Sequence, residues 1–138
     1  MKSKIFIPFF VILILTVMAL VGCWPPVPRP DLVPANPPGT SGYCNVDDLN
    51  NLIVYVKNQG EADALTSLVK VGFYLTSGLQ EFSTSVGPLT VGETKSVSFA
   101  IPSGCAIPDC GFIITVDSGE DITESNELNN TVNGHCVR

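Results

Sequence analysis

From Leu52 onward apolar and polar positions alternate with a period of two, and no stretch sustains the period of an amphipathic helix. Leu52, Val54 and Val56 fall on one face of a predicted strand and Ile53, Tyr55 and Lys57 on the other, with Asn58-Gln59-Gly60 ending it. Val69, Val71, Phe73 and Leu75 alternate with Lys70, Gly72, Tyr74 and Thr76 until Ser77-Gly78 stops the run. Phe82 to Val86 predicts a short edge strand, and Leu89 to Thr94 a turn. Val97, Phe99 and Ile101 define the next strand, and Phe112, Ile114 and Val116 another. A last strand starts near Asn130 and carries Val132. Upstream, Pro30-Asp31-Leu32-Val33 predicts a first edge strand, where proline's missing N–H costs no ladder bond. Seven short strands punctuated by Gly, Pro and Asn predict an all-β antiparallel sandwich.

The N-terminus follows another pattern. Lys2 and Lys4 precede an uncharged apolar run from Ile5 to Val21, and Leu20-Val21-Gly22-Cys23 closes it, so residues 1–22 predict a secretory signal. The closing cysteine resembles the lipobox of bacterial lipoproteins, which implies that Cys23 carries the lipid and becomes the first mature residue. A signal anchor retained as a transmembrane helix is the competing reading, since the run is about long enough to span. Trp24 to Pro38 holds seven of the eleven prolines, which excludes helix and favours extended chain. Residues 23–29 then form the lipidated cysteine and a semi-rigid spacer of about 3 Å per residue, and residues 30–138 a single domain.

Charge and cysteines narrow the class. Loss of Lys2 and Lys4 on processing leaves five basic residues against thirteen acidic ones. That balance argues against nucleic acid, whose binding rests on neutralising phosphates, and against electrostatic adhesion to anionic lipid. Besides Cys23 the chain has Cys44, Cys105, Cys110 and Cys136, an even number that predicts disulfides in an exported protein. There is no C-x-x-C pair, and the only histidine, His135, lies beside Cys136 without a partner motif, so zinc is not expected.

The candidate chemistry lies in Val116 to Asn130, which holds five carboxylates and three amides. Asp117, Glu120, Asp121, Glu124 and Glu127 offer hard oxygens for calcium, with Asp117, Asp121 and Glu124 the candidate ligands, but the ordered spacing of an EF-hand loop is absent. The structural alternative is a loop lock in which Glu127, Asn129 and Asn130 hydrogen-bond to backbone groups of the connection. A glycosidase-type carboxylate pair is disfavoured, because carboxylates crowded in one surface turn are expected to be solvated. No G-x-S-x-G occurs and no phosphate-cradling glycine loop. Asn129-Asn130-Thr131 fits an N-glycosylation sequon but overlaps the acidic segment. Ile53, Tyr55, Tyr74 and Ile113 lie on the alternate faces of their strands and form the candidate apolar patch for a partner.

Taken in order, Pro-Asp-Leu-Val, Asn58-x-Gly60, Phe73-Tyr74-Leu75, Leu89-x-x-Gly92-Glu93-Thr94 and a strand closing at Asp117 before Glu124-Ser125-x-Glu127-x-Asn129-Asn130 resemble the CARDB domain, a cell-adhesion-related module of bacterial and archaeal surface proteins. The resemblance runs from Pro30 to Cys136. It implies an immunoglobulin/fibronectin-III-like sandwich without a catalytic role, in which Asp117, Glu124, Glu127, Asn129 and Asn130 are the motif residues. Members are mostly repeated modules, whereas this chain has one copy, and its four domain cysteines are not part of the pattern. With that topology the last hairpin centres near Thr123 and sets residue 110 opposite 136, while the end of the fifth strand meets the start of the second. The favoured pairing is therefore Cys44–Cys105 with Cys110–Cys136, and the alternative is Cys105–Cys110 with Cys44–Cys136. Each bridge is worth roughly 2–4 kcal/mol.

These readings converge on a lipid-anchored, extracytoplasmic binding module that contacts a surface protein or glycan and uses no cofactor. A calcium-dependent module is the alternative, and a small envelope hydrolase a remoter one.

Overall fold

The computed structural model describes residues 25–105 and 109–137. The signal over residues 1–22 and the lipid site at Cys23 lie outside the described residues, among which no helix is long and apolar enough to cross a membrane. Seven strands follow one another: β1 (Leu32–Ala35), β2 (Asn51–Asn58), β3 (Ser67–Leu75), β4 (Gly78–Val86), β5 (Thr94–Ala100), β6 (Asp109–Thr115) and β7 (Thr131–Val137). They form two antiparallel sheets, one of order β1-β2-β5 and one of order β4-β3-β6-β7. This is the sandwich the alternation predicts.

Side chains in a strand point alternately to its two faces, so one apolar set per strand fills the space between the sheets. Leu32, Leu52, Val54 and Val56 from the first sheet meet Val69, Val71, Phe73, Phe112 and Ile114 from the second. Phe73 sits edge-on to Phe82 at 6.1 Å and to Phe112 at 6.4 Å, the geometry aromatic quadrupoles favour. Gly134 lies opposite Phe112 on β7, and a Cβ there would meet the Phe112 ring at 2.5 Å. The glycine is the space that ring occupies.

Strand β4 starts at Gly78, four residues before the expected Phe82. Its register with β3 closes at Leu75↔Gly78, a hairpin with a two-residue loop. Leu79, Gln80 and Glu81 are exposed, so only hydrogen bonding to β3 makes them strand, and no burial pattern in the sequence could mark it.

The disulfides are Cys44–Cys136, with Cα atoms 5.3 Å apart, and Cys105–Cys110, with Cα atoms 5.1 Å apart. This corrects the favoured pairing Cys44–Cys105 with Cys110–Cys136 in favour of its alternative. The expected hairpin register is present, with Cys110 opposite Cys136. What differs is the path of the β1–β2 connection. The Asp47 carboxylate accepts the N–H groups of Leu49 and Asn51 and the Asn51 side-chain amide, closing a turn in which Asn50 is left-handed (φ 65). The turn folds residues 45 and 46 back onto the start of β2, through a Val46↔Leu52 bridge and an Ile53 N–H to Asn45 carbonyl bond of 2.7 Å. Ser41 to Cys44 consequently share a cleft with Asn133 to His135 of β7, and Cys44 reaches Cys136 rather than the end of β5. Cys105 is left to close locally on Cys110, five residues on.

Candidate functional site

At the pole opposite the disulfides, the β6–β7 connection turns inward. The Val116 N–H donates to the Asn130 carbonyl at 2.9 Å and extends the hairpin by one step. Asp117 then adopts a left-handed conformation (φ 44), as does Glu120 (φ 53), conformations that short polar residues tolerate better than branched ones. Ser118 N–H donates to the Leu68 carbonyl and Glu120 N–H to the Asp117 carbonyl, both at 2.9 Å. Asp117 is only 2% exposed, and its Oδ2 accepts the Ile122 N–H at 3.0 Å.

Glu124 is the centre of the arrangement and is 3% exposed. Its Oε1 accepts the N–H of Leu32 in β1 at 2.5 Å, and its Oε2 accepts the side-chain amide of Asn130. Glu127 accepts the Glu124 N–H at 2.8 Å. Asn129 reaches across to β1 as well, donating its Nδ2 to Asp31 Oδ1 at 2.9 Å, and Ser125 N–H donates to the Pro30 carbonyl. The loop thus grips residues 30–32, which precede it by about ninety positions.

The grip continues through Asp31 to the end of β2. Asp31 Oδ2 accepts from Gln59 at 3.0 Å, and the Asp31 N–H donates to Asn58 Oδ1. Asn58 is fully buried, with both ends of its amide in use. Oδ1 accepts from Asp31 and Gly60, and Nδ2 donates to the Ala62 and Leu89 carbonyls. Gly60 belongs to the same joint. A Cβ there would lie 2.5 Å from backbone atoms of Arg29, Pro30 and Asp31, so only glycine lets the incoming chain pass this close.

Two expectations need correction. Glu127 does bond to loop backbone as a lock requires, but Asn129 and Asn130 bond to the side chains of Asp31 and Glu124 instead. The carboxylates are expected to be solvated, yet Asp117 and Glu124 are buried: residues 30–32 close over Glu124, while Asp117 turns back into its own loop to accept the Ile122 N–H. One oxygen each of Asp117, Glu124 and Glu127 lie within 4.8 Å of one another. Asp121, an expected calcium ligand, is exposed and stands outside this group, which includes Glu127 instead.

Burial raises the Asp117 carboxyl above the ordinary carboxylate range, opposed by backbone N–H bonds from Ile122 and Asp121. Burial likewise raises Glu124, opposed by the Leu32 N–H and the Asn130 amide and reinforced by the charges of Asp117 and Glu127. No Lys or Arg among the described residues pairs with this group; the ion pairs there are Lys70–Glu81 and Lys95–Glu93. Asp117 Oδ1, Asn129 Oδ1 and Asn130 Oδ1 are buried acceptors without a protein donor. An open cleft of about 470 Å³, lined by Asp117, Ile122, Glu127, Asn130 and Thr131 among others, leads from solvent to Asp117 and Asn130.

The predicted apolar patch divides in two. Ile53 and Tyr55 lie on the outer face of the three-stranded sheet, whereas Tyr74 and Ile113 lie on that of the four-stranded sheet. The even and odd positions of β2 and β3 face a common core, so their outward positions must diverge. Tyr55 accepts from the Asn45 amide, while Tyr74 and Leu79 are about half exposed. In the sequon, the Asn129 nitrogen that a glycan would occupy is committed to Asp31.

The family model CARDB matches residues 29–134. Among solved structures, the chain is 22% identical to a domain (residues 272–376) of a candidate cell surface protein from Methanosarcina acetivorans, with a TM-score of 0.59 over 79% of this chain and 91% of that one. It is 26% identical to the CARDB domain of the PF1109 protein from Pyrococcus furiosus, crystallised in complex with di-metal ions, with a TM-score of 0.48 over 79% of this chain and 93% of that one. The solution structure of that domain gives 23% identity and a TM-score of 0.41, covering 80% and 94%. No curated protein matches.

Proposed function

This chain belongs to the CARDB family, and from that premise we propose that it is a non-catalytic module exposed outside the cell membrane, held there by a lipid on Cys23 and making contacts with a surface protein or glycan. The observation that carries the reading is where the motif's polar groups are spent. Glu124, Asn129, Asp31 and Asn58 close on the chain's own backbone and on one another, building a rigid joint rather than converging on a substrate. The hydrolase alternative gains nothing here: Glu124 is held by the Leu32 N–H and the Asn130 amide, and Asp117, Glu124 and Glu127 crowd within 4.8 Å of one another instead of flanking a substrate bond at the roughly 5–9.5 Å that glycosidase carboxylates keep. His135 cannot assist, since it lies at the other pole.

The outer face of the four-stranded sheet offers the contact surface. Tyr74, Leu79 and Ile113 gather around Gly72, whose missing side chain lets Leu79 and Ile113 approach to 3.0 Å of where a Cβ would stand. Tyrosine suits such a role, with an apolar ring and a polar tip. The spacer before Pro30 would hold this face some 20 Å from the lipid.

Crosslinking on intact cells, followed by identification of what is captured, tests the reading. Tyr74→Ser with Ile113→Ser should abolish capture while leaving the melting temperature nearly unchanged; undiminished capture would remove this face from the function. Anchoring is tested by Cys23→Ser, which should release the protein or leave it unprocessed. A variant that fractionates like wild type with the same mass would end the lipoprotein assignment.

A further inference from the structure

We infer that Asp117, Glu124 and Glu127, together with the side-chain oxygen of Asn130, bind one calcium-sized divalent cation at the β6–β7 pole. Three observations meet there. The three carboxylates present oxygens within 4.8 Å of one another, which fits ligands around an ion with bonds of about 2.3–2.6 Å. Asp117, 2% exposed, keeps Oδ1 without a donor, and so does Asn130, 9% exposed. The open cleft is lined by Asp117, Glu127 and Asn130, so a hydrated ion has a path to these atoms.

The hydrogen-bonded joint accounts for part of this arrangement and leaves a remainder. It uses both oxygens of Glu124, Oδ2 of Asp117 and Oε1 of Glu127. It does not use Asp117 Oδ1 or Asn130 Oδ1, and native folds seldom bury acceptors without a partner. Asn130 cannot be turned to repair this, because its Nδ2 must face the Glu124 carboxylate. A carboxylate oxygen has two lone pairs, so Glu124 can hold Leu32 and still touch a cation. The all-oxygen donor set, without cysteine or histidine, selects a hard ion. Mixed carboxylate and amide ligands suit the flexible coordination of calcium better than the near-ideal octahedron of magnesium. Since Glu124 also pins β1, the cation would stiffen the joint between the domain and the proline-rich segment before it.

The full chain, purified from membranes in detergent and stripped with EDTA, is titrated with calcium chloride by calorimetry, with thermal melts in parallel. The expected result is one saturable site per chain with Kd of about 10⁻⁴–10⁻³ M, the range of extracellular modules. The melting temperature should rise by about 5 °C at roughly ten times Kd. Glu127→Gln changes an exposed side chain and should fold as wild type while losing about ten-fold or more in calcium affinity. No heat and no thermal shift at about 10 mM calcium would overturn the site, as would unaltered uptake by Glu127→Gln. An equal shift with magnesium chloride would overturn the selection for a calcium-sized ion. The site stands or falls independently of the contact face around Tyr74.

Discussion

Asn58→Ala tests how the N-terminal strand is held, and its cost can be worked from the structure. The side chain is fully buried and makes four hydrogen bonds, to the N–H groups of Asp31 and Gly60 and to the carbonyls of Ala62 and Leu89. The Leu89 carbonyl keeps a second donor, the Ala64 N–H at 2.9 Å, but the other three backbone groups lose the partner this side chain supplied. At about 1 kcal/mol net per bond the loss is about 4 kcal/mol. A residual cavity adds to it, and water reaching the half-buried bonds to Gly60 and Ala62 subtracts. The expected destabilisation is about 3–5 kcal/mol, against a total of roughly 5–15 kcal/mol for a domain of this kind. Urea denaturation of the oxidised protein reads it as a fall in midpoint at unchanged slope. Asn58→Asp should cost at least as much, since it keeps both acceptances but turns a carboxylate toward two carbonyls. A loss below about 1 kcal/mol for Asn58→Ala would refute the reasoning and mean that solvent already serves these groups.

Four other outcomes follow from the same geometry. Peptide mapping without reduction should recover Cys44 linked to Cys136 and Cys105 to Cys110; a Cys44–Cys105 peptide would contradict the fold of the β1–β2 connection. Because the first bridge closes a separation of 92 residues and the second one of 5, chain entropy assigns them about 4–5 and about 2 kcal/mol, so Cys44→Ser should lower the melting temperature well beyond Cys105→Ser. Gly134→Ala should cost about 1–3 kcal/mol by driving the Phe112 ring off its seat, whereas Gly111→Ala, whose nearest neighbour is Tyr74 at 3.4 Å, should be nearly neutral; equal effects in urea would sink that distinction. In EDTA, Asp117→Asn should melt above wild type at neutral pH. Burial raises the Asp117 pKa in the fold, so the folded state binds the proton more tightly than the unfolded chain, and stability falls as pH rises from the ordinary aspartate pKa through the raised one. The advantage of asparagine should therefore shrink as the pH is lowered, and a pH-independent difference would exclude this cause.

Much of the site was legible as residue types and little of it as environment. Glu124, Glu127 and Asn130 stand out in sequence because they crowd one connection. Asn58 is legible as a motif residue, and its environment can be read as well: it continues the inward register of Leu52, Val54 and Val56, and a polar residue in an apolar alternation marks a buried hydrogen-bonding hub. Asp31 is legible as a motif residue but its partner is not, since nothing local says that an aspartate after Pro30 will receive Asn129.

The sequence by itself determined the strands and their inward faces, short of the exposed start of β4 at Gly78. These follow from a period of two, a local property of the chain, whereas the register that sets Cys110 opposite Cys136 across the long β6–β7 connection is what the family topology implies. Only the tertiary structure decided which carboxylates are buried, which cysteines bond and which outward residues share a face. Each of those depends on a segment distant in sequence: residues 30–32 over Glu124, residues 41–44 beside β7, and the choice of sheet for β2 and β3. The burial of a charge is set by what covers it, and at Glu124 the cover comes from a strand 92 positions away.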